Sequence, residues 1–439
     1  MGAAIDVAAL RRAFQEAEYT TDAVIDRIGA LGQEGLGRNC TVPSDAALAG
    51  AYDPQAVLIR MFLLQQEVPV EAVAGVVDLE GLVAGGLIEV GGERAKALVD
   101  VRPFASPDDQ ASGWVVSDLT PGLDHAVAPT RPDYVLGVSP ASTTLAQLVA
   151  RTPVETALDL GTGCGVQSLH LAKHARRVVA TDVNERAIAL ARLTLELSDA
   201  EADLRVGSLF EPVAGERFDL IVSNPPYVMS PPSEEADTLA YRETNLLGDG
   251  LVEAIIRQAP AHLTSGGSLQ LLTNWAVVEG QDWHDRLSSW APGCDLWVIE
   301  RERLDVFSYI EMWLTDAGLA GSPDWLPAYR RWLAYFEGLG IREVGMGWIL
   351  LTAVGDREPV QRFESWPHAV NQPVGEAFAR HRAALDASLR PTGGLLTSAP
   401  RLVDVVQETI GIPGEADPQH IVLRQRRGLR RAAAGLQRL

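Results

Sequence analysis

The apolar positions along this chain change period as the chain proceeds. Near the start they recur at helical spacing. Residues 8–17 and 21–28 read as helices, the second with Thr20, Thr21 and Asp22 as capping candidates. Asp53 begins a third helix whose stripe includes Val57, Leu58, Met61, Phe62 and Leu63, and a short helix covers residues 71–77. The run from Gly81 to Val90 then leads through Gly91-Gly92 into residues 97–101, and a Gly-Gly pair between apolar runs predicts a hairpin. Helices closed by a hairpin suggest a winged-helix-like module over residues 1–105. Such a module can read DNA, dimerise or present a substrate. Here its recognition segment is poor in Arg and Lys.

A linker, Ser106-Pro107-Asp108-Asp109-Gln110, follows, then a short strand at residues 113–119 and a loop containing Pro121, Pro129 and Pro132. After a helix at residues 143–151 the pattern becomes a regular alternation. Residues 156–160, 177–181, 203–206, 218–223, 268–273, 296–300 and 348–354 read as strands, and residues 166–174, 185–197, 250–263 and 306–317 as helices between them. Seven strands alternating with helices specify an open α/β sheet covered on both faces, with a site at the carboxyl ends of the strands. This domain spans residues 106–355. Residues 356–439 read as a small appendage with a helix at 374–389, the loop Pro391-Thr392-Gly393-Gly394 and a basic end carrying Arg424, Arg426, Arg427, Arg430, Arg431 and Arg438.

Composition narrows the classes. A chain of 439 residues with 47% hydrophobic and 22% charged residues suits a soluble globular protein of two or three domains. Its net charge of −21 disfavours bulk attraction to nucleic acid, although a local arginine patch remains compatible with an RNA contact. Cys40, Cys164 and Cys294 form no Cys-x-x-Cys pair, so neither a disulfide framework nor a metal site is expected. The N-terminus lacks the basic head and apolar run of a signal peptide, and no apolar run is long enough for a membrane span. A cytoplasmic protein is expected.

Two segments carry chemistry. Asp159-Leu160-Gly161-Thr162-Gly163-Cys164-Gly165-Val166 follows the first sheet strand and opens a helix, and its glycines permit a tight turn that a ligand can approach closely. A dinucleotide fingerprint wants glycine or alanine where Val166 stands. The second segment, Asn224-Pro225-Pro226-Tyr227, ends an apolar strand. An amide or exocyclic amine nitrogen is a poor nucleophile because its lone pair is delocalised. The Asn224 side-chain oxygen and the Pro225 carbonyl can each accept one N–H from such a group, Tyr227 can stack on its plane, and the two prolines stiffen the loop.

The Asp-x-Gly-x-Gly-x-Gly spacing resembles motif I of the class I S-adenosylmethionine-dependent methyltransferases, which have a Rossmann-like sheet. The resemblance implies that Asp159, Gly161, Thr162, Gly163 and Gly165 surround the methionine part of the cofactor. Asp182, at the end of the second strand and followed by Val183, is then the acid whose two oxygens accept from the ribose hydroxyls. Ser208 and Leu209 are implied to flank the adenine. Residues 135–315 are most similar to the HemK-type branch: Asn224-Pro225-Pro226-Tyr227-Val228 is followed by Tyr241-Arg242 and Gly248-Asp249-Gly250-Leu251. Pro140 and Thr144 match a Pro-x-x-x-Thr pattern in the segment that covers the cofactor there, with Ser142 and Thr143 where those relatives carry acids.

The resemblance implies protein glutamine as the acceptor. The Asn-Pro-Pro-aromatic signature also occurs in enzymes methylating adenine N6 or guanine N2 of DNA and RNA. A catalytically silent methyltransferase-like module would be expected to lose Asp182 or Asn224, and both are present. The expected partners are S-adenosylmethionine and a macromolecular acceptor, protein or RNA/DNA, with no membrane. Asn274 and Trp275, at the fifth strand end, are expected to line the acceptor pocket or to pack there, and Tyr241 and Arg242 to form part of a lid.

Overall fold

A computed structural model describes residues 5–125, 131–232, 246–355, 357–370, 372–389, 394, 397, 405–414 and 419–425. At its centre lies one sheet, formed by β1 (Val154–Leu160), β2 (Ala175–Asp182), β3 (Asp203–Val206), β4 (Phe218–Ser223), β5 (Leu263–Val278), β6 (Cys294–Asp305), β7 (Ile341–Ala353) and β8 (Gln361–Ser365). The spatial order is β3-β2-β1-β4-β5-β7-β6-β8. Pairing is parallel from β3 to β5, β7 runs antiparallel to both its neighbours, and β8 is parallel to β6.

Strands covered on both faces must be apolar on both, which explains the run Leu220-Ile221-Val222 of β4 and the adjacent buried Ala157 and Leu158 of β1. Leu158, Leu160, Ile221, Leu269 and Val298 pack on one face with the helices Gly250–Gln258 and Trp283–Trp290. Ala157, Leu220, Val222, Ile299 and Trp348 pack on the other with the helices Pro140–Leu148 and Gly375–Ser388. Register brings the chemical segments to one rim. Leu160 pairs with both Thr181 and Ser223, and Ser223 with Leu271. The glycine loop, Asp182 and Asn224 therefore leave three adjacent parallel strands at the same level.

The sheet has eight strands where seven were expected. The eighth comes from residues placed in the C-terminal appendage: Gln361-Arg362-Phe363-Glu364-Ser365 holds a single large apolar side chain, so its pattern reads as a loop, as protected edge strands often do. The helix Gly375–Ser388 also seats against the sheet, with the Phe378 ring 5.2 Å from that of Trp297. β5, β6 and β7 extend past the parallel rim, and the helices Val306–Asp316 and Trp325–Gly338 pack there around Tyr309, Phe336 and Val344.

The first hundred residues form short helices and a three-stranded sheet, Val68–Pro69, Arg94–Ala97 and Ile88–Gly91, closed at Gly92 in the left-handed region. Two details depart from expectation. Leu79–Ala84 is helical, ending at Gly85-Gly86, and Asp100–Ala105 leaves the hairpin to pair with Ser112–Ser117, across the expected boundary at 105. This ribbon lies on the helix Glu185–Leu197: Val116 N–H donates to Thr194 Oγ1 at 2.9 Å, and Trp114 N–H to Ser198 Oγ at 3.0 Å. Phe14, Tyr19, Phe62, Trp114, Leu190 and Leu193 share one apolar core, so the front module and the sheet are packed together. Arg424 lies on the strand His420–Gln425, while Arg426, Arg427, Arg430, Arg431 and Arg438 fall outside the described residues. Among the described residues no helix is long and apolar enough to cross a membrane.

Candidate functional site

The turn after β1 is built from three left-handed glycines with different duties. Gly165 (φ 84°) starts the helix Val166–Leu171, and a Cβ there would come within 3.1 Å of Ala191 Cβ. Gly161 (φ 78°) and Gly163 (φ 55°) have no atom within 4 Å of such a position, so their backbone borders open space. Gly161 N–H and Thr162 N–H both donate to Thr181 O at 2.9 Å, tying the turn to β2.

Asp159 is buried beneath this turn, where its Oδ2 accepts from Thr162 Oγ1 and Ser168 Oγ, each at 2.7 Å. Burial raises its carboxyl to about 6, against the lowering effect of the Ser168 and Thr162 hydroxyls and with a further upward push from Asp182. The Thr162 side chain is thus turned down onto Asp159. Only the backbone of this residue borders the open side.

Asp182 sits at the end of β2, its Oδ2 accepting from Gly163 N–H and its Oδ1 from Asn184 N–H, each at 2.9 Å. Each carboxylate oxygen keeps a second lone pair for a hydroxyl donor. Burial raises this carboxyl as well, against those backbone donors. The neighbouring Val183 is 64% exposed, an apolar surface beside the carboxylate. Gly207 N–H donates to Asp182 O at 3.0 Å, carrying Ser208 and Leu209 to the same rim, Leu209 with a positive φ of 48°. The open glycine backbone, the paired acceptor oxygens and the apolar flank fit a nucleoside cofactor with a ribose diol.

Asn224 follows β4, which is held to β1 by Ser223 Oγ donating to Leu160 O at 2.6 Å. The Asn224 Oδ1 is buried and accepts no hydrogen bond among the described residues. A buried acceptor without a donor costs about 1–3 kcal/mol, so its persistence in a stiff loop needs a reason. Pro225 is buried, and Pro226 and Tyr227 are half-buried. The Tyr227 ring stands 6.3 Å from that of Trp313, and burial, with the charge of Asp316, raises its hydroxyl above the ordinary value.

The loop is braced from behind by Tyr309, fully buried on the helix Val306–Asp316. Its hydroxyl accepts from Met229 N–H at 3.1 Å and Asn274 Nδ2 at 3.0 Å, and it faces Tyr227 O at 3.5 Å. Sequence reasoning missed Tyr309, which shows there only as one apolar position of an amphipathic helix. Replacing it with phenylalanine strands two buried donors. The Tyr309→Phe variant is expected to lose about 1–3 kcal/mol of stability and some turnover together, measured by denaturant unfolding and initial rates.

Asn274 and Trp275 point to opposite faces of β5, as alternation requires. Asn274 supports the loop through Tyr309, whereas Trp275 is core, its ring stacked 5.5 Å from that of Trp283. Tyr241 and Arg242 lie outside the described residues. Asp249, in the glycine-rich entry to the next helix, is buried under Arg286, with N–O distances of 2.6 and 2.7 Å. Thr144, on the helix Pro140–Leu148, borders a cavity of about 320 Å³ together with Tyr227, Thr273, Glu302, Trp348 and Gln372.

Residues 137–281 match the methyltransferase small domain family, and residues 16–98 match a family described as a domain of unknown function (DUF7059). A release factor glutamine methyltransferase of Geobacter sulfurreducens is 35% identical over 169 residues, 36% of this chain and 56% of that protein. One from Yersinia pestis is 41% identical over 140 residues, 29% of this chain and 50% of that protein. A ribosomal RNA small subunit methyltransferase C of Salmonella arizonae is 36% identical over 119 residues, 27% of this chain and 30% of that protein. The chain thus spans between 30% and 56% of the length of these relatives.

Proposed function

We propose that the chain is an S-adenosylmethionine-dependent N-methyltransferase of the cytoplasm whose acceptor is a planar amide nitrogen, with a protein glutamine side chain as the lead substrate. The observation that carries this reading is the buried Oδ1 of Asn224, without a donor among the described residues, on the same rim as the glycine loop and Asp182. Its similarity to two glutamine methyltransferases agrees with it.

When bound, the cofactor supplies a methyl group activated on a sulfonium. The protein's part is alignment and polarisation. Gly161 and Gly163 leave room for the methionine end, and Asp182 accepts from the ribose hydroxyls. Asn224 Oδ1 and the Pro225 carbonyl accept the two N–H groups of the acceptor and draw its lone pair out of conjugation, while the Tyr227 ring holds its plane. On gaining the methyl group the acceptor nitrogen would become acidic and would release one proton to water. No general base is required.

A second reading, transfer to a base nitrogen of RNA, is favoured by the similarity to a ribosomal RNA methyltransferase. Purified release factor and small-subunit ribosomal RNA from the same organism, each incubated with the full chain and methyl-labelled cofactor, separate the two. Label on the release factor is expected. Label on RNA alone would overturn the lead reading.

A further inference from the structure

The cavity beneath Tyr227 has an outer wall that does not come from residues 137–281. Val370 and Gln372 form that wall, on the strap of chain leading from β8 to the helix Gly375–Ser388. The strap is fastened at both ends. Trp366 N–H donates to Glu300 O at 2.7 Å, and Val374 N–H to Gln147 O at 2.9 Å, on the helix that carries Thr144. A Cβ on Gly375 would lie 2.0 Å from Val149 O, so the far end is seated directly on the end of that helix.

Arg301 holds the middle. Its guanidinium lies 5.0 Å from the centroid of the Trp348 ring, its Nη1 donates to Trp366 O, and its Nη2 donates to His368 O at 2.8 Å. Burial lowers the Arg301 pKa, yet the group stays charged. Arg301 is the single cation among the described residues lining the cavity, and both its terminal nitrogens are committed to carbonyls. Glu302 beside it is exposed. Arg301 is turned onto the strap by those two carbonyls, Glu302 sets a carboxylate beside it, and Leu272, Met346, Val370 and Trp348 suit an aliphatic stem better than a phosphodiester.

We propose that this cavity is the acceptor chamber, shaped for a carboxamide on an aliphatic stem, and that the strap is its specificity-determining wall with Arg301 as the positioning residue. The inference rests on the N-methyltransferase reading above, since Tyr227 is what joins the chamber to the transfer site. It makes residues 366–370 and 372–374 part of acceptor recognition.

The test uses the full-length chain carrying Arg301→Met, which keeps an apolar stem over Trp348 but removes both donors, and separately Gln372→Ala. Purified release factor is the probe, with KM and kcat separated, cofactor affinity measured by calorimetry, and hydrogen exchange followed at residues 366–370. Arg301→Met is expected to speed exchange in the strap and raise KM about tenfold, with kcat within about threefold and cofactor affinity unchanged. Gln372→Ala removes the Oε1 that accepts from Val374 N–H at 3.1 Å, a donor that also holds Gln147 O, and is expected to raise KM without altering exchange at residues 366–370. An unchanged KM in Arg301→Met with a released strap would overturn the strap's role while the transfer reading stands. A parallel loss of cofactor affinity would overturn it too, by moving the effect to the other half of the site. A wild-type chain that labels RNA and never the release factor would overturn the protein reading and the assigned occupant together.

Discussion

Asn224→Ala is expected to lower kcat by a factor on the order of 10²–10³ while cofactor affinity stays within about twofold of wild type. The Asn224 Oδ1 is a buried acceptor with no donor among the described residues, a state that the acceptor's N–H would relieve. Alanine removes the oxygen and nothing that holds the loop: Ser223 Oγ remains on Leu160 O, the Tyr309 hydroxyl remains on Met229 N–H, and Val228 and Met229 remain packed against Tyr309 and Ile310. Because an unsatisfied buried acceptor costs about 1–3 kcal/mol, its removal is expected to leave the thermal midpoint unchanged or higher. A merely structural asparagine would respond with the opposite sign. Labelled-methyl kinetics, calorimetry and thermal unfolding on one preparation check all three quantities.

Asp182→Asn is expected to weaken cofactor binding by about 10–100-fold, the equivalent of one hydrogen bond to a charged group. The carboxylate meets donors on both oxygens, Gly163 N–H and Asn184 N–H. An amide presents an NH2 to one of them, so donor faces donor there, while Gly161 N–H and Thr162 N–H keep the turn tied to Thr181 O. At saturating cofactor, kcat is expected to recover to within about threefold, since the variant spares the transfer loop. A pH signature accompanies this. Accepting the ribose hydroxyls requires the ionised carboxylate, so affinity is held above its pKa and lost as pH falls through it. Burial raises that pKa, so the loss begins at higher pH than for an ordinary carboxylate, and it is absent in Asp182→Asn. For folding the sign is reversed: the native carboxyl holds its proton more tightly than the unfolded one, so the stability from Asp182 falls as pH rises through the same range. Titration calorimetry across that range measures the first effect.

The half of the sheet that carries the cofactor side was legible in the sequence because buried parallel strands leave little choice of residue. Phe218–Ser223 ends where its apolar run Leu220-Ile221-Val222 ends, whereas Asp203–Val206, at the sheet edge, alternates Leu204 and Val206 with polar residues. The other half was legible only in its centre. β6 and β7 continue past the rim with exposed or half-buried residues such as Glu302, Arg303 and Glu343, whose polarity hides the strand. Trp325–Gly338 carries Ala328, Trp332 and Phe336 four residues apart, a helical stripe obscured by Pro327 near its start. The motifs pointed to the glycine loop, Asp182 and the Asn224 loop, and register places their strand ends side by side. Tyr309 could not be found this way, since it meets the loop through contacts between residues far apart in the chain, and Asn274, expected at the fifth strand end, reaches the loop through Tyr309. Arg301 and Gln372 share that obstacle, because nothing in their local spacing marks a cavity wall.

Site-resolved mass spectrometry of the labelled acceptor tests the central claim most directly. With wild-type chain and S-adenosylmethionine, a methyl is expected in place of one hydrogen on a side-chain amide nitrogen, and with Asn224→Ala that product is expected to be nearly absent. A methyl found on oxygen, sulfur or carbon, or an undiminished amide product from the Asn224 variant, would contradict the account.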